Sequence, residues 1–377
     1  MMRRPTLRNV AEAAGVHLST AARAIKNDPR ISSKTRLKVR SVAKQIGYFR
    51  DPMMAAFAAY RQKVRTTGFR GTMAWITNYP QVDGWRNWTT DLYHAGARER
   101  ALELGYNLEE FWLHAPGMTA RRASNILVAR GIRGLLLSPQ PRSRGHLSLK
   151  WDQFATVAFG YSMVRPKMNL VTTAHFRSVV TVVRNLRALG YRRIGWACPR
   201  KMDVRMEHLW TSSYHSELQT LPESQGIPFF TSYQKPEFIA WFERWRPQAI
   251  ITLDVPPIID WLTERGYHVP RDVGVASLIV PEPDRHLSGI DERSKVVGTT
   301  AVDLLADMIQ RGEYGIPKDP LLVLVQGVWL SGHTVAKAMP TSEQGTASTA
   351  RRKFPKNKVR TGKRLVKARR LYRSPKP

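Results

Sequence analysis

Thr6-Leu7-Arg8-Asn9-Val10-Ala11-Glu12-Ala13-Ala14-Gly15-Val16, followed after His17 by Leu18-Ser19-Thr20-Ala21-Ala22-Arg23-Ala24-Ile25-Lys26, decides the reading of this chain. Leu7, Val10, Ala11 and Ala14 recur three or four residues apart, which is the spacing of one helical face. Gly15 follows, a residue that takes φ > 0 without strain and so permits a sharp turn. Leu18–Lys26 reads as a second short helix, with Val16, Ala21 and Ile25 available for burial. Beyond the polar turn Asn27-Asp28-Pro29-Arg30, Ser32 or Ser33 can cap a third helix whose apolar residues are Val39, Val42, Ala43 and Ile46. Two short helices joined by a glycine turn and braced by a third form the helix-turn-helix plan.

Charge points the same way. The 377 residues carry a net +31, but residues 1–65 hold +12 of it and residues 351–377 hold +13. Only +6 remains for the 285 residues between them. Two polycationic ends attract a polyanion, and beside a helix-turn-helix that polyanion is nucleic acid. In this motif the second helix enters the major groove, so Leu18, Ser19, Ala22 and Arg23 are the candidate base contacts. Arg23 suits a bidentate contact to guanine, although a solvated helix charge would look the same from sequence. Thr6, Thr20, Lys26, Ser32, Lys34 and Arg36 are candidates for phosphate, which orients a protein without reading sequence.

Asp51-Pro52 opens a further helix through Met53-Met54-Ala55-Ala56-Phe57-Ala58-Ala59-Tyr60, apolar on nearly every face and marginal alone. Phe57 can serve as an apolar wedge in the minor groove, or the segment can be a plain connector.

These residues resemble the lactose-repressor (LacI/GalR) family of bacterial transcription regulators, over a span from Thr6 to about Val335. Ile31-Ser32-Ser33-Lys34-Thr35-Arg36 and Ile46-Gly47-Tyr48 continue the resemblance in register. It implies a homodimer that binds a pseudo-palindromic double-stranded operator, under allosteric control by a small molecule such as a sugar or sugar derivative, with repression as the expected outcome. A constitutive architectural DNA-binding protein without an effector is the alternative. Departures stand out: the family usually has serine at the positions of His17 and Ala22, asparagine at Lys26, leucine at Phe57, and an acidic pair at Ile279-Val280. The last departure counts against a typical free sugar and implies a ligand site that is more apolar or unoccupied.

The body supports the resemblance. Short apolar runs such as Met73–Thr77, Gly134–Leu137, Ala155–Phe159, Arg193–Ala197, Pro228–Thr231, Ala249–Leu253 and Val273–Ser277 read as strands. They alternate with helical segments such as Asp91–Leu104, Ser124–Arg130, Val179–Leu189, Glu207–Leu218 and Pro257–Arg265. Such alternation argues for parallel sheets with helices on both faces, and two cycles of it argue for two lobes. The fold class expected is an all-α helix-turn-helix head plus hinge helix, then an α/β bilobed body resembling a periplasmic binding protein, then a disordered basic tail. Boundaries are expected at 1–50 for the head, 51–70 for the hinge, 71–338 for the body and 339–377 for the tail, with lobe crossings near 165–170, 290–296 and 318–324.

Ligands of this architecture sit beyond the strands' carboxyl ends. Candidate effector residues are therefore Asn78, Trp85, Trp88, Arg205, His208 and Asp254. Asp254 can accept sugar hydroxyls or cap the helix that follows it; Arg205 can anchor a ligand or face solvent; Trp85 and Trp88 can stack on a sugar or belong to a core. No phosphate-binding glycine loop, nucleophile elbow or metal spacing is present, and His94, His114, His175 and His215 are scattered, so neither an enzyme, a cofactor nor a metal is expected. The single Cys198 suits a reducing compartment, and no apolar run reaches about 18 residues. The expected location is cytoplasmic and nucleoid-associated, without a membrane partner. The tail lacks acidic residues and any apolar period, which suggests a second, non-specific DNA contact, with RNA binding or an aid to solubility as the alternatives.

Overall fold

The computed structural model describes residues 5–25, 27–48 and 69–338. Lys26, the expected hinge helix with Phe57, and the basic tail lie outside the described residues.

The head is three helices, α1 (Leu7–Ala14), α2 (Leu18–Ile25) and α3 (Ser33–Gln45). Thr6 and Asn9 close a capping box on α1: Thr6 Oγ1 accepts from the Asn9 amide at 3.4 Å, and Asn9 Oδ1 accepts from the Thr6 amide at 2.9 Å. Gly15 ends the helix at φ 63°, and its amide satisfies carbonyls of the last turn. Ser32 caps α3 through the Thr35 amide at 3.2 Å. The core between the helices is Val10, Ala11, Ala14, Ala21, Ala24, Val39 and Ala43, small side chains that let three short helices approach closely.

The body contains two main sheets. β1 (Gly71–Thr77), β2 (Tyr106–Trp112), β3 (Gly134–Leu137), β5 (Ala155–Phe159), β7 (Asn169–Thr173) and β12 (Leu322–Val325) form a parallel sheet of order β12-β7-β5-β3-β1-β2. Between them β4 (Gly145–His146) pairs with β6 (Met163–Arg165). The second sheet runs β13-β11-β10-β9-β8, from β8 (Ile194–Ala197), β9 (Ala249–Thr252), β10 (Gly274–Ser277), β11 (Gly289–Asp291) and β13 (Val328–Leu330). Its ladders are parallel except β11 with β13. Pro228–Thr231 does not form the expected strand. It contributes one bridge, Phe230 to Ala197, because its chain leaves the sheet edge on either side of that residue.

Helices α4 (Trp88–Glu103), α5 (Ala120–Ala129), α6 (His175–Ala188), α7 (Arg200–Arg205), α8 (Leu209–Leu218), α9 (Lys235–Trp245), α10 (Val255–Glu264) and α11 (Ser294–Arg311) cover the sheets. The helix expected from Glu207 to Leu218 begins at Leu209, since Glu207 and His208 take φ of 53° and 61°, and the further helix α7 precedes it.

Three crossings join the lobes. β7 still belongs to the first sheet, whereas α6 packs Val179, Val183 and Leu186 against Ile194 and Trp196 of the second. The first crossing therefore falls between Thr173 and His175, later than residues 165–170, because Asn169–Thr173 is itself a buried strand. The next runs from Asp291 to Ser294, where α11 returns to pack Val297, Ala301 and Leu305 on the first sheet. The last lies between Val325 and Val328, after rather than within 318–324, because Leu322–Val325 extends the first sheet. Helices α4 and α11 approach so closely that a Cβ on Gly298 would stand 2.1 Å from the Tyr93 carbonyl oxygen, and one on Gly96 2.1 Å from that of Lys295. Only glycine fits this crossing.

Candidate nucleic-acid interface and interlobe cavity

On α2, Ala21 and Ala24 are buried while Leu18, Ser19 and Arg23 are exposed and Ala22 is half-buried. These four residues at i, i+1, i+4 and i+5 share one outward face, and their backbone is held by the Gly15 turn and the bracing α3. The Ser19 amide and hydroxyl both face Nδ1 of His17, at 3.3 and 2.8 Å. His17 thus belongs to this face, a role that its position just before the helix could have suggested.

The candidate phosphate residues divide. Thr6 and Ser32 are exposed and cap α1 and α3, Lys34 is exposed beside Ser32, and Thr20 is half-buried. Arg36 is turned inward: its Nη1 donates to the carbonyls of Asn27 at 3.4 Å and Asp28 at 3.2 Å, where it holds the turn between α2 and α3. It is a positioning residue for that turn. Arg30 pairs with Asp28 at 2.6 Å, and this hydrogen-bonded guanidinium holds the Asp28 carboxyl down at about 2.

Between the lobes lies a cavity of about 480 Å³. It opens where strands end: Tyr79 comes shortly after β1, Pro139 after β3, Gly160–Ser162 after β5, Leu253 and Asp254 after β9, and Ile279 after β10. Trp88 and Tyr93 from α4, Arg205 from α7 and Trp210 from α8 complete its walls, while His175 and Glu292 from the crossings also line it.

Of the six residues expected here, the structure brings Trp88, Arg205 and Asp254 together in the lining. Arg205 Nη2 donates to the Gln140 carbonyl at 2.6 Å, a bond from the second lobe to the first. Burial pushes the Tyr79 phenol up, while the neighbouring Arg205 guanidinium pulls it the other way. Asp254 stands at the N-cap of α10, yet its side chain makes no capping bond, so the carboxylate is not engaged by its own helix. Burial raises it above the usual carboxylate range.

The other three lie elsewhere. Trp85 is fully buried in the first lobe's core, with its ring 5.4 Å from Trp75 and 5.2 Å from His94, and the Thr90 hydroxyl donates to its carbonyl at 2.5 Å. Asn78 is a support rather than a wall: its Nδ2 donates to Gln140 Oε1 at 2.9 Å, and its Oδ1 faces His114 Nε2 at 3.0 Å. His208 turns away to Asp203, at 2.9 Å. Ile279 lines the cavity with an apolar side chain and Val280 is buried in the second lobe's core.

Sequence reasoning missed Tyr93, Tyr161, Trp210, His175 and Glu292. His175 Nδ1 lies 3.3 Å from Glu292 Oε1, with both side chains almost wholly buried, yet neither atom completes a hydrogen bond. Burial, then Glu207, pushes the Tyr161 phenol up to about 12. Tyr161 could have been found by its place directly behind a strand. The others come from helices and crossings whose rotation only packing decides. Among the described residues, no group of His, Cys, Asp and Glu could hold a metal ion, and no helix is long and apolar enough to cross a membrane.

Two family models match the sequence: bacterial regulatory proteins of the lacI family over residues 6–51, and the periplasmic binding protein-like domain over residues 183–327. Among solved structures the fold is similar to the Lac Repressor bound to ONPG in the repressed state, at 19% identity and TM-score 0.50, with 88% of this chain and 100% of that chain covered. It is also similar to the LacI family transcriptional regulator CCPA from Weissella paramesenteroides with bound glucose, at 12% identity and TM-score 0.50, covering 71% and 99%. A LacI transcriptional regulator from a Rhodococcus species matches at 13% identity and TM-score 0.50, covering 71% and 98%. No curated protein matches the chain.

Proposed function

The chain belongs to the lacI family of bacterial regulatory proteins, and from that premise we propose that it is a ligand-responsive transcriptional repressor that binds a pseudo-palindromic operator as a homodimer. The observation that carries this is the exposed face of α2, where Leu18, Ser19, Ala22 and Arg23 project from a helix whose other face is locked into the head. Thr6, Thr20, Lys26, Ser32 and Lys34 serve phosphates around it, and Phe57 in the 51–70 hinge serves the minor groove. Residues 1–50 are then the reading head, 71–338 the sensing and dimerising body, and 339–377 a basic tail that adds affinity for any DNA. The protein acts in the cytoplasm, on the nucleoid.

Control comes from the cavity. The similar regulators are bound to ONPG and to glucose; here a small molecule meets Trp88, Arg205 and Asp254 between lobes joined by three crossings. A ligand with different affinities for two lobe arrangements shifts their balance, and a coupling of about 1–3 kcal/mol to DNA affinity is usual for such systems. The body serves sensing rather than turnover.

Selection of bound duplexes from a random pool at about 0.15 M salt, where non-specific binding is weakened, tests this function. Enrichment of two inverted half-sites supports it. Tight binding without enrichment would replace it with constitutive architectural binding.

A further inference from the structure

The interlobe cavity holds carboxylates whose acceptor atoms are left open. Its described lining has three carboxylates, Asp254, Asp284 and Glu292, against the guanidinium of Arg205 and the imidazole of His175, which lies 3.3 Å from Glu292. Arg205 already gives Nη2 to the Gln140 carbonyl. Among the lining hydroxyls, Ser277 donates to the Ile279 carbonyl at 2.6 Å and Thr90 to the Trp85 carbonyl at 2.5 Å, whereas Ser162 Oγ accepts from the Gln140 amide and Thr172 Oγ1 is buried without a partner. Asp254 makes no capping bond. Glu292, with 2% of its side chain exposed, has a buried Oε1 that no hydrogen bond satisfies. Aromatic side chains, Trp88, Tyr93, Tyr161 and Trp210, form much of the remaining wall.

We propose, resting on the reading of this cavity as the effector site, that its ligand is an organic cation, an amine or quaternary ammonium, whose charge is met by Asp254 and Glu292 and whose body packs on the aromatic wall. A desolvated carboxylate is costly until a counter-charge joins it. An ammonium supplies charge and donors together, and its carbon substituents are attracted to aromatic faces. The chain as a whole, at +31, repels cations, so any that binds is held by local groups.

The experiment is calorimetric titration of the full chain with matched pairs: choline against 3,3-dimethylbutanol, putrescine against 1,4-butanediol, and glucosamine against glucose. The expected result is that a cation binds at least about tenfold more tightly than its neutral partner, and that Asp254→Asn abolishes the difference while the unliganded protein keeps its thermal midpoint. Equal or tighter binding of the neutral members, lost on Ile279→Trp, overturns the cation and leaves the effector site standing. A cation that binds equally well to Asp254→Asn and Ile279→Trp lies outside the cavity, and overturns both. Absence of binding by every cation up to about 10 mM, a free energy weaker than about −3 kcal/mol, also overturns the proposal.

Discussion

Arg205, the last residue of α7, donates to the backbone carbonyl of Gln140 at 2.6 Å, and the side-chain Oε1 of Gln140 accepts a further bond from Asn78 Nδ2. One side chain of the second lobe is thereby tied to a loop of the first, beside the cavity that both line or support. The tie needs no ligand, so the lobes already have a preferred approach that a ligand can strengthen or break.

Arg205→Ala removes this bond. A hydrogen bond to a charged group is worth about 1.5–3 kcal/mol when shielded, and partial exposure of Arg205 lowers that. Amide exchange in the loop after β3 and in α7 should rise about fivefold to tenfold, near 1–1.4 kcal/mol, with the sheets unaffected. Unchanged exchange in both segments would mean that the bond does not hold the lobes.

Gly298→Ala separates two opposite expectations. Helix propensity alone favours alanine by about 1 kcal/mol. The close approach of α4 and α11 puts the new Cβ 2.1 Å from the Tyr93 carbonyl oxygen, and overpacking of this kind costs about 1–3 kcal/mol. The urea midpoint should therefore fall with an unchanged slope. A rise would show that the helices can part without cost.

His94 makes stability depend on pH near neutrality. Burial between Trp75 and Trp85 lowers its pKa from the ordinary 6.5, with Glu110 opposing. The unfolded chain therefore takes up the proton first as the pH falls. Stability present above 6.5 is lost as the pH drops from 6.5 toward the folded value. His94→Phe keeps a ring in place and removes the proton, so its urea midpoint should decline less between about pH 6.5 and 5. An equal decline would assign that loss to other groups.

Much of the fold was legible because it rests on local signals. Thr6, Gly15 and the alanine spacing specify the head within about twenty residues, without help from distant parts of the chain. The strand–helix alternation specifies the body for the same reason. What stayed hidden depends on distant packing. Asn169–Thr173 and Leu322–Val325 are neighbours in a sheet although about 150 residues apart, and neither segment announces its partner. Trp85 reads as a loop aromatic until its ring is seen packed against Trp75 and His94, and the two roles open to Asp254 separate only when its side chain is seen to leave α10 uncapped. His175 and Glu292 come together from separate crossings, so no spacing could have paired them.

The tail offers a prediction that rests on charge alone. Truncation after Ser348 removes 13 basic residues and no acidic ones. Each phosphate engaged adds about 0.9 to the salt slope of binding, so the slope should fall by about 2–4 on removal. An unchanged slope would mean that the tail does not touch DNA.

The most direct test of the account is the affinity of Arg23→Ala for the selected duplex and for random duplex, measured side by side at about 0.15 M salt. A base contact through a guanidinium is worth about 1–3 kcal/mol. The variant should therefore lose about fivefold to 150-fold on the selected duplex while its affinity for random DNA stays within about threefold. Equal losses on both would make Arg23 a phosphate anchor and contradict the assignment of α2 as the element that reads sequence.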